Sequence, residues 1–185
     1  MLFVDIIYCF VMIVFFVAIF TSLFFERYTK IVPAPTLSYV RKRALKLIPE
    51  NFKKDGQYEI FDLGSGWGGI LISLSKLFPN STIIGYELSP LPYFISKLRV
   101  FFRKRNINVY REDFFKKDIS DADIIFCYLS PYHMELLKEK FSELPNGSVI
   151  ISCSFPILGW KPDKEEYISS FFVKIPIFRY TIGEN

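Results

Sequence analysis

At 185 residues, 51% of them hydrophobic, the chain has room for one domain of ordinary size and a short appendage. Its single histidine excludes a histidine-based metal cluster. Cys9, Cys127 and Cys153 sit in apolar runs without metal-ligand spacing and read as buried small hydrophobes in a reducing compartment. The net charge of +4 is mild, equally suited to an anionic surface, an acidic partner or solubility.

The appendage comes first. Ile6 to Phe25 carries no charge and only Thr21 and Ser22 as polar residues, a length of roughly 30 Å as a helix, the apolar thickness of a bilayer. Asp5 before it and Glu26-Arg27-Tyr28 after it are unlike the flanks of a cleaved signal peptide. The run predicts an N-terminal transmembrane helix, with residues 1–29 as anchor and 30–185 as the domain. Arg27, Lys30, Arg41, Lys42 and Arg43 follow the run, which predicts a single-pass membrane protein whose domain faces the cytoplasm.

After a linker from Lys30 to Pro35, helix and strand patterns alternate. Thr36 is placed to cap a helix reaching Ile48, with Leu37, Val40, Ala44, Leu45 and Ile48 on one face and Pro49 ending it. Strands are expected at Tyr58 to Leu63, Thr82 to Glu87, Ile107 to Arg111, Ile124 to Leu129 and Ser148 to Phe155. Helices are expected at Trp67 to Phe78, Pro90 to about Arg105 and Tyr132 to Glu143. Ile119 to Asp123 is polar where another helix would ordinarily lie, so that helix is short or missing. Tyr167 to Val173 and Ile177 to Ile182, separated by Pro176, predict an antiparallel pair at the end of the sheet. Near-continuous apolar strands alternating with helices indicate an α/β fold: a mostly parallel seven-strand sheet covered on both faces.

In such sheets ligands bind beyond the C-terminal ends of the strands. There the chain reads Phe61-Asp62-Leu63-Gly64-Ser65-Gly66-Trp67-Gly68-Gly69, with Glu87 ending the next apolar run. Gly64, Gly66 and Gly69 also satisfy the spacing of dinucleotide folds, a weak signal alone. Asp62 breaks the tie, because a carboxylate at this turn repels a diphosphate and attracts the ammonium of an amino acid. Glu87 suits a ribose diol, since one carboxylate accepts from both hydroxyls. Asp113 is placed for an adenine amino group, with Phe114 beside it. The plainer uses of Asp62 and Glu87 are as caps of the following turn and helix. The set predicts S-adenosylmethionine as cofactor, with Asp62, Gly64, Ser65, Gly66, Gly68, Glu87, Leu88, Asp113 and Phe114 binding it.

From these motifs the stretch Tyr58 to Ser154 resembles the class I, seven-strand methyltransferases. Asp62 to Gly68 is similar to their first motif, Glu87 to their ribose acid and Asp113-Phe114 to their adenine-side motif. The resemblance implies a Rossmann-like fold. A narrower likeness joins the apolar N-terminus, Val32-Pro33-Ala34-Pro35-Thr36, Tyr128 to Met134 with Leu136-Leu137, Phe155-Pro156 and Gly159-Trp160. These resemble the membrane-anchored lysine methyltransferases of the ATP synthase c-subunit and the adenine nucleotide translocase, and their prokaryotic relatives. That resemblance implies a membrane-protein substrate, a matrix-facing domain if mitochondrial, and an active-site role for Pro33 to Thr36. Trp67 departs from the pattern, at a position usually small or acidic.

Acceptor-side candidates follow the fourth strand: Ser130, Pro131 and Tyr132, with Tyr128 and His133 nearby. Tyrosine faces can contact a methylammonium. Ser130-Pro131 also suits a helix start, and His133 reads as a surface helix residue. The run Lys97, Arg99, Arg103, Lys104, Arg105 reads as a solvated rim, with membrane-surface contact as the next reading and a nucleic-acid patch last. Small-molecule, lipid or nucleic-acid methylation and a non-catalytic, cofactor-binding module remain alternatives.

Overall fold

The computed structural model describes residues 2–29, 37–103, 106–169 and 174–184. Helix α1 spans Leu2–Thr29 and α2 spans Ser38–Leu45. Then follow β1 (Glu59–Leu63), α3 (Gly69–Leu77), β2 (Thr82–Tyr86), α4 (Pro90–Phe101) and β3 (Ile107–Tyr110). A 3-10 turn at Phe114–Lys116 leads to β4 (Ile124–Cys127), α5 (Pro131–Ser142), β5 (Val149–Cys153), β6 (Lys164–Ser169) and β7 (Lys174–Thr181).

The strands form one seven-stranded sheet in the order β3-β2-β1-β4-β5-β7-β6, parallel up to β5 and antiparallel from there. Alternate residues feed two cores. On one face Ile60, Ile83, Ile124 and Phe126 meet Val40 and Ala44 of α2, Leu71 and Leu74 of α3 and Val100 of α4. On the other, Phe61, Leu63, Ile125 and Ile150 meet Met134, Leu137 and Phe141 of α5. Among the described residues the second face thus has a single α-helix. The expected gap before β4 is real: Phe114–Lys116 is one 3-10 turn, and Ile119 and Ala122 cover the core in place of a helix.

The predicted transmembrane helix is corrected. A helix does form over Leu2–Thr29, but among the described residues no helix is long and apolar enough to cross a membrane. Asp5 lies in its first turn, and the helix packs beside α4. The single-pass localisation with a cytoplasmic or matrix-facing domain falls with it, because the positive-inside argument has no span to orient.

Smaller differences have local causes. Thr36 and the Pro33 to Thr36 segment lie outside the described residues; α2 begins after Leu37, which makes no side-chain cap, and stops at Leu45, four residues before Pro49. Trp67 is not helical, because Gly66 and Gly68 on either side take φ of 50° and 72°. Helix α4 ends at Phe101, and Lys104 and Arg105 lie outside the described residues. Pro176 lies inside β7 rather than before it. Its carbonyl accepts from Ser154 N–H (2.8 Å), so its nitrogen faces the same side, where β5 has already ended. Cys127 and Cys153 are buried as expected, but Cys9 is exposed on α1.

Candidate active site

The parallel strands end together, and the order switches between β1 and β4, which open in opposite directions across the sheet. The bend after β1 hangs on its neighbour: Gly64 and Ser65 N–H both donate to the Tyr86 carbonyl (3.0 and 2.9 Å). Gly64 has φ 77°, and a Cβ there would stand 3.1 Å from Leu129 Cδ2, so the turn is both left-handed and tightly packed against the end of β4. The turn closes with Gly68 N–H donating to Ser65 O (2.9 Å).

Asp62 and Glu87 come together at this turn. Asp62 is 5% and Glu87 8% exposed. Burial, and then the nearby charge of Glu87, push the Asp62 carboxyl up to about 8. Its oxygens have no hydrogen-bond partner among the described residues. Glu87, by contrast, is engaged at both oxygens: Oε2 accepts from Gly66 N–H (2.8 Å) and Oε1 from Ser89 N–H (2.7 Å). Ser89 is the N-cap of α4, so Glu87 steadies that helix start as well as the glycine turn. Each carboxylate oxygen has two lone pairs, so these bonds leave capacity for a ligand hydroxyl.

The other expected residues fall around this pair. Ser65 is buried, its hydroxyl without a partner among the described residues, and Leu88 is half-buried, its carbonyl accepting from Arg111 Nε at 3.4 Å. Asp113 caps the 3-10 turn, Oδ1 accepting from Phe115 N–H (3.0 Å). Phe114 is 8% exposed and belongs to the core of the α5 face. Beyond β4, Ser130 is the N-cap of α5 and Pro131 its first residue, with Tyr132 56% exposed.

Three features were not foreseen. His133 is buried, 6% exposed, rather than on the surface, and its Nδ1 lies 2.6 Å from Ser130 Oγ. Arg41 of α2 reaches the start of α3, with Nη1 2.7 Å from where a Cβ on Gly69 would stand. Arg99 donates to the Trp67 carbonyl within the glycine turn. Only the first left a trace in the sequence: serine three residues before histidine across a helix start brings the two side chains onto one turn.

The arrangement fits an amino-acid-bearing nucleoside rather than a dinucleotide. Burial and then the Glu87 charge raise the cost of ionising Asp62, which a cation relieves and a diphosphate worsens. Among the described residues no group of acids, histidines and cysteines is arranged to hold a metal ion.

Comparison with known proteins agrees. Over 131 residues the chain is 28% identical to a protein-lysine N-methyltransferase of Saccharolobus islandicus, covering 68% of this chain and 80% of that one. It is 32% identical over 143 residues to the ATP synthase c-subunit lysine N-methyltransferase of Rattus norvegicus, covering 70% of this chain but only 63% of the rat protein. In fold it is similar to an RNA methyltransferase from Salinibacter ruber solved with S-adenosyl-L-homocysteine. That likeness has a TM-score of 0.69 at 24% identity, over 82% of this chain and 95% of that one. The expected methyltransferase chemistry, with S-adenosylmethionine as donor, stands on these findings. Residues 62–164, more than half the chain, match the ANTKMT methyltransferase domain, and the chain belongs to that family.

Proposed function

We propose that residues 30–185 form a domain that methylates the ε-amino group of a lysine in a membrane protein. The observation that carries this reading is the buried Asp62 carboxyl, unpartnered among the described residues, beside a left-handed glycine turn and 8%-exposed Glu87. The lysine acceptor is supported by the archaeal and rat relatives, and the membrane-protein substrate by the ATP synthase component on which the rat relative acts.

When bound, S-adenosylmethionine supplies an electrophilic methyl group on sulfur. The rest of the work falls to the chain. Asp62 holds the donor's ammonium group; Gly64, Ser65, Gly66 and Gly68 let the backbone approach its amino-acid end. Glu87 and Leu88 flank the ribose, and Asp113 with Phe114 borders the adenine. Ser130, Pro131 and Tyr132 face the acceptor, where the tyrosine ring offers an apolar, π-rich wall to the lysine side chain. Fixing both partners in one crevice converts a bimolecular encounter into an oriented one, the largest contribution such a displacement needs. Apolar walls also favour the neutral amine over the ammonium, the form with a lone pair to give.

Purified protein, radiolabelled S-adenosylmethionine and detergent-solubilised membrane fractions test this directly. A labelled protein band, with a methylated lysine located by mass spectrometry, is expected. Label entering only RNA or lipid, or no label at all, rejects the reading.

A further inference from the structure

His133 is the only histidine in the chain. It is buried near the start of α5, stacked on Phe115 (centroids 5.7 Å, planes 24° apart) and met edge-on by Tyr132 (5.4 Å, 82°). Phe115 is itself held by the Asp113 carboxylate, which accepts from its N–H. The imidazole therefore bridges the segment after β3 and the segment after β4.

The hydroxyl of Ser130 is used in an unusual way. A serine at a helix N-cap ordinarily accepts from the amides two or three residues on. Ser130 makes no such side-chain cap; its carbonyl takes His133 N–H (3.0 Å) and Met134 N–H (3.1 Å), and its Oγ pairs instead with His133 Nδ1 at 2.6 Å. Ser130 follows Leu129, whose Cδ2 lies against Gly64, so this pair sits where β4 has just passed the glycine turn.

We propose that His133 is a positioning residue: its Nδ1 accepts the Ser130 hydroxyl proton and so turns the Ser130 oxygen lone pairs toward the methyl acceptor. A hydroxyl has one proton to give and two lone pairs to receive with. Once the proton is committed to His133, Ser130 can only accept, and it suits a group that brings its own N–H. An amine qualifies; a carboxylate does not. This deepens the lysine reading above and rests on it. Neither residue takes the substrate's proton: the N–C bond forms as C–S breaks, and the surplus proton leaves nitrogen for water.

Because the chain has one imidazole, a long-range ¹⁵N–¹H spectrum of the uniformly labelled protein reports His133 alone. The expected spectrum shows the proton on Nε2 and an unprotonated, hydrogen-bonded Nδ1 whose shift moves in Ser130→Ala. A proton on Nδ1 overturns the proposal. Rates of label transfer to the solubilised membrane fraction supply the second readout. Ser130→Ala and His133→Phe, which keeps the stack on Phe115, are each expected to lower kcat/KM for the acceptor by about tenfold. The double variant should be no slower than either single one, with donor affinity by calorimetry within about twofold of the parent. Additive losses, or unchanged rates, overturn the proposal; should His133→Phe fail to fold, Ser130→Ala and the spectrum decide. If the parent chain labels no protein, the lysine reading fails by itself, and the spectrum still judges the hydrogen bond.

Discussion

At the scale of single residues, Asp62 ties stability to pH in one direction and ligand binding in the other. Its carboxyl is pushed from 3.8 up to about 8 by burial first and the Glu87 charge second. The folded chain therefore holds a proton that the unfolded chain has released. Stability from this group is fully present below about pH 4 and is lost as pH rises toward 8. A cationic ligand requires the ionised form, so binding S-adenosylmethionine at pH 6.5 should release close to one proton, about the limit for a single linked group. Calorimetry in buffers of different ionisation enthalpy measures this. Asp62→Asn should abolish the proton release and weaken donor binding by about ten- to hundredfold, the range for a hydrogen bond to a charged group. The same variant should raise the stability of the ligand-free protein at pH 7.5 by about 1–2 kcal/mol, because a buried ionisable group is removed. A variant that binds normally, or that loses stability together with binding, would show the carboxyl to be structural.

Among the elements, the C-terminal strands and α2 are joined by two arginines of very different exposure. Arg179 of β7 pairs with Asp163 through Nε (2.6 Å) and reaches the Leu47 carbonyl beyond α2 through Nη1 (3.2 Å), with its side chain 20% exposed. Arg43 of α2 pairs with Glu166 of β6 at 2.5 Å, but is 50% exposed. Water competes for the second pair and much less for the first. Arg179→Met should cost about 1–3 kcal/mol, leaving the Leu47 carbonyl without its donor and Asp163 with only the Thr181 hydroxyl (3.2 Å), whereas Arg43→Met should cost about 0.5 kcal/mol or less. Urea unfolding at constant slope separates them; equal losses would mean that exposure does not govern these contacts. The same region shows where sequence reading stops. The five parallel strands were legible because strands buried on both faces must be continuous apolar runs, and Asp62 and Glu87 because the turns that carry them follow directly from those runs. The placing of β7 between β5 and β6 leaves no local mark, and Pro176 even argued for a break. The burial of His133 was half legible: it shares the buried face of α5 with Met134, Leu137 and Phe141, but the Phe115 ring stacked on it comes from another segment.

For the whole molecule, the question is what α1 contributes. Among the described residues neither core cluster contains a residue of this helix, and the helix packs beside α4. Along it Phe10, Phe16 and Phe20 are 65%, 60% and 71% exposed, and Phe94, Phe101 and Phe102 of α4 are exposed too. Apolar patches of this extent drive association, because each buried side chain returns about 1.5–3 kcal/mol. The fold of residues 37–184 and the association of the full chain should therefore be separable properties. A chain beginning at Lys30 should unfold cooperatively within a few degrees of the full-length protein, since the cores are unchanged. It should also sediment as a smaller species in detergent-free buffer, where the full chain self-associates through the exposed helix. Loss of the cooperative transition on removing residues 1–29 would mean that α1 holds α4 in place, and that the helix is part of the catalytic domain rather than an addition to it.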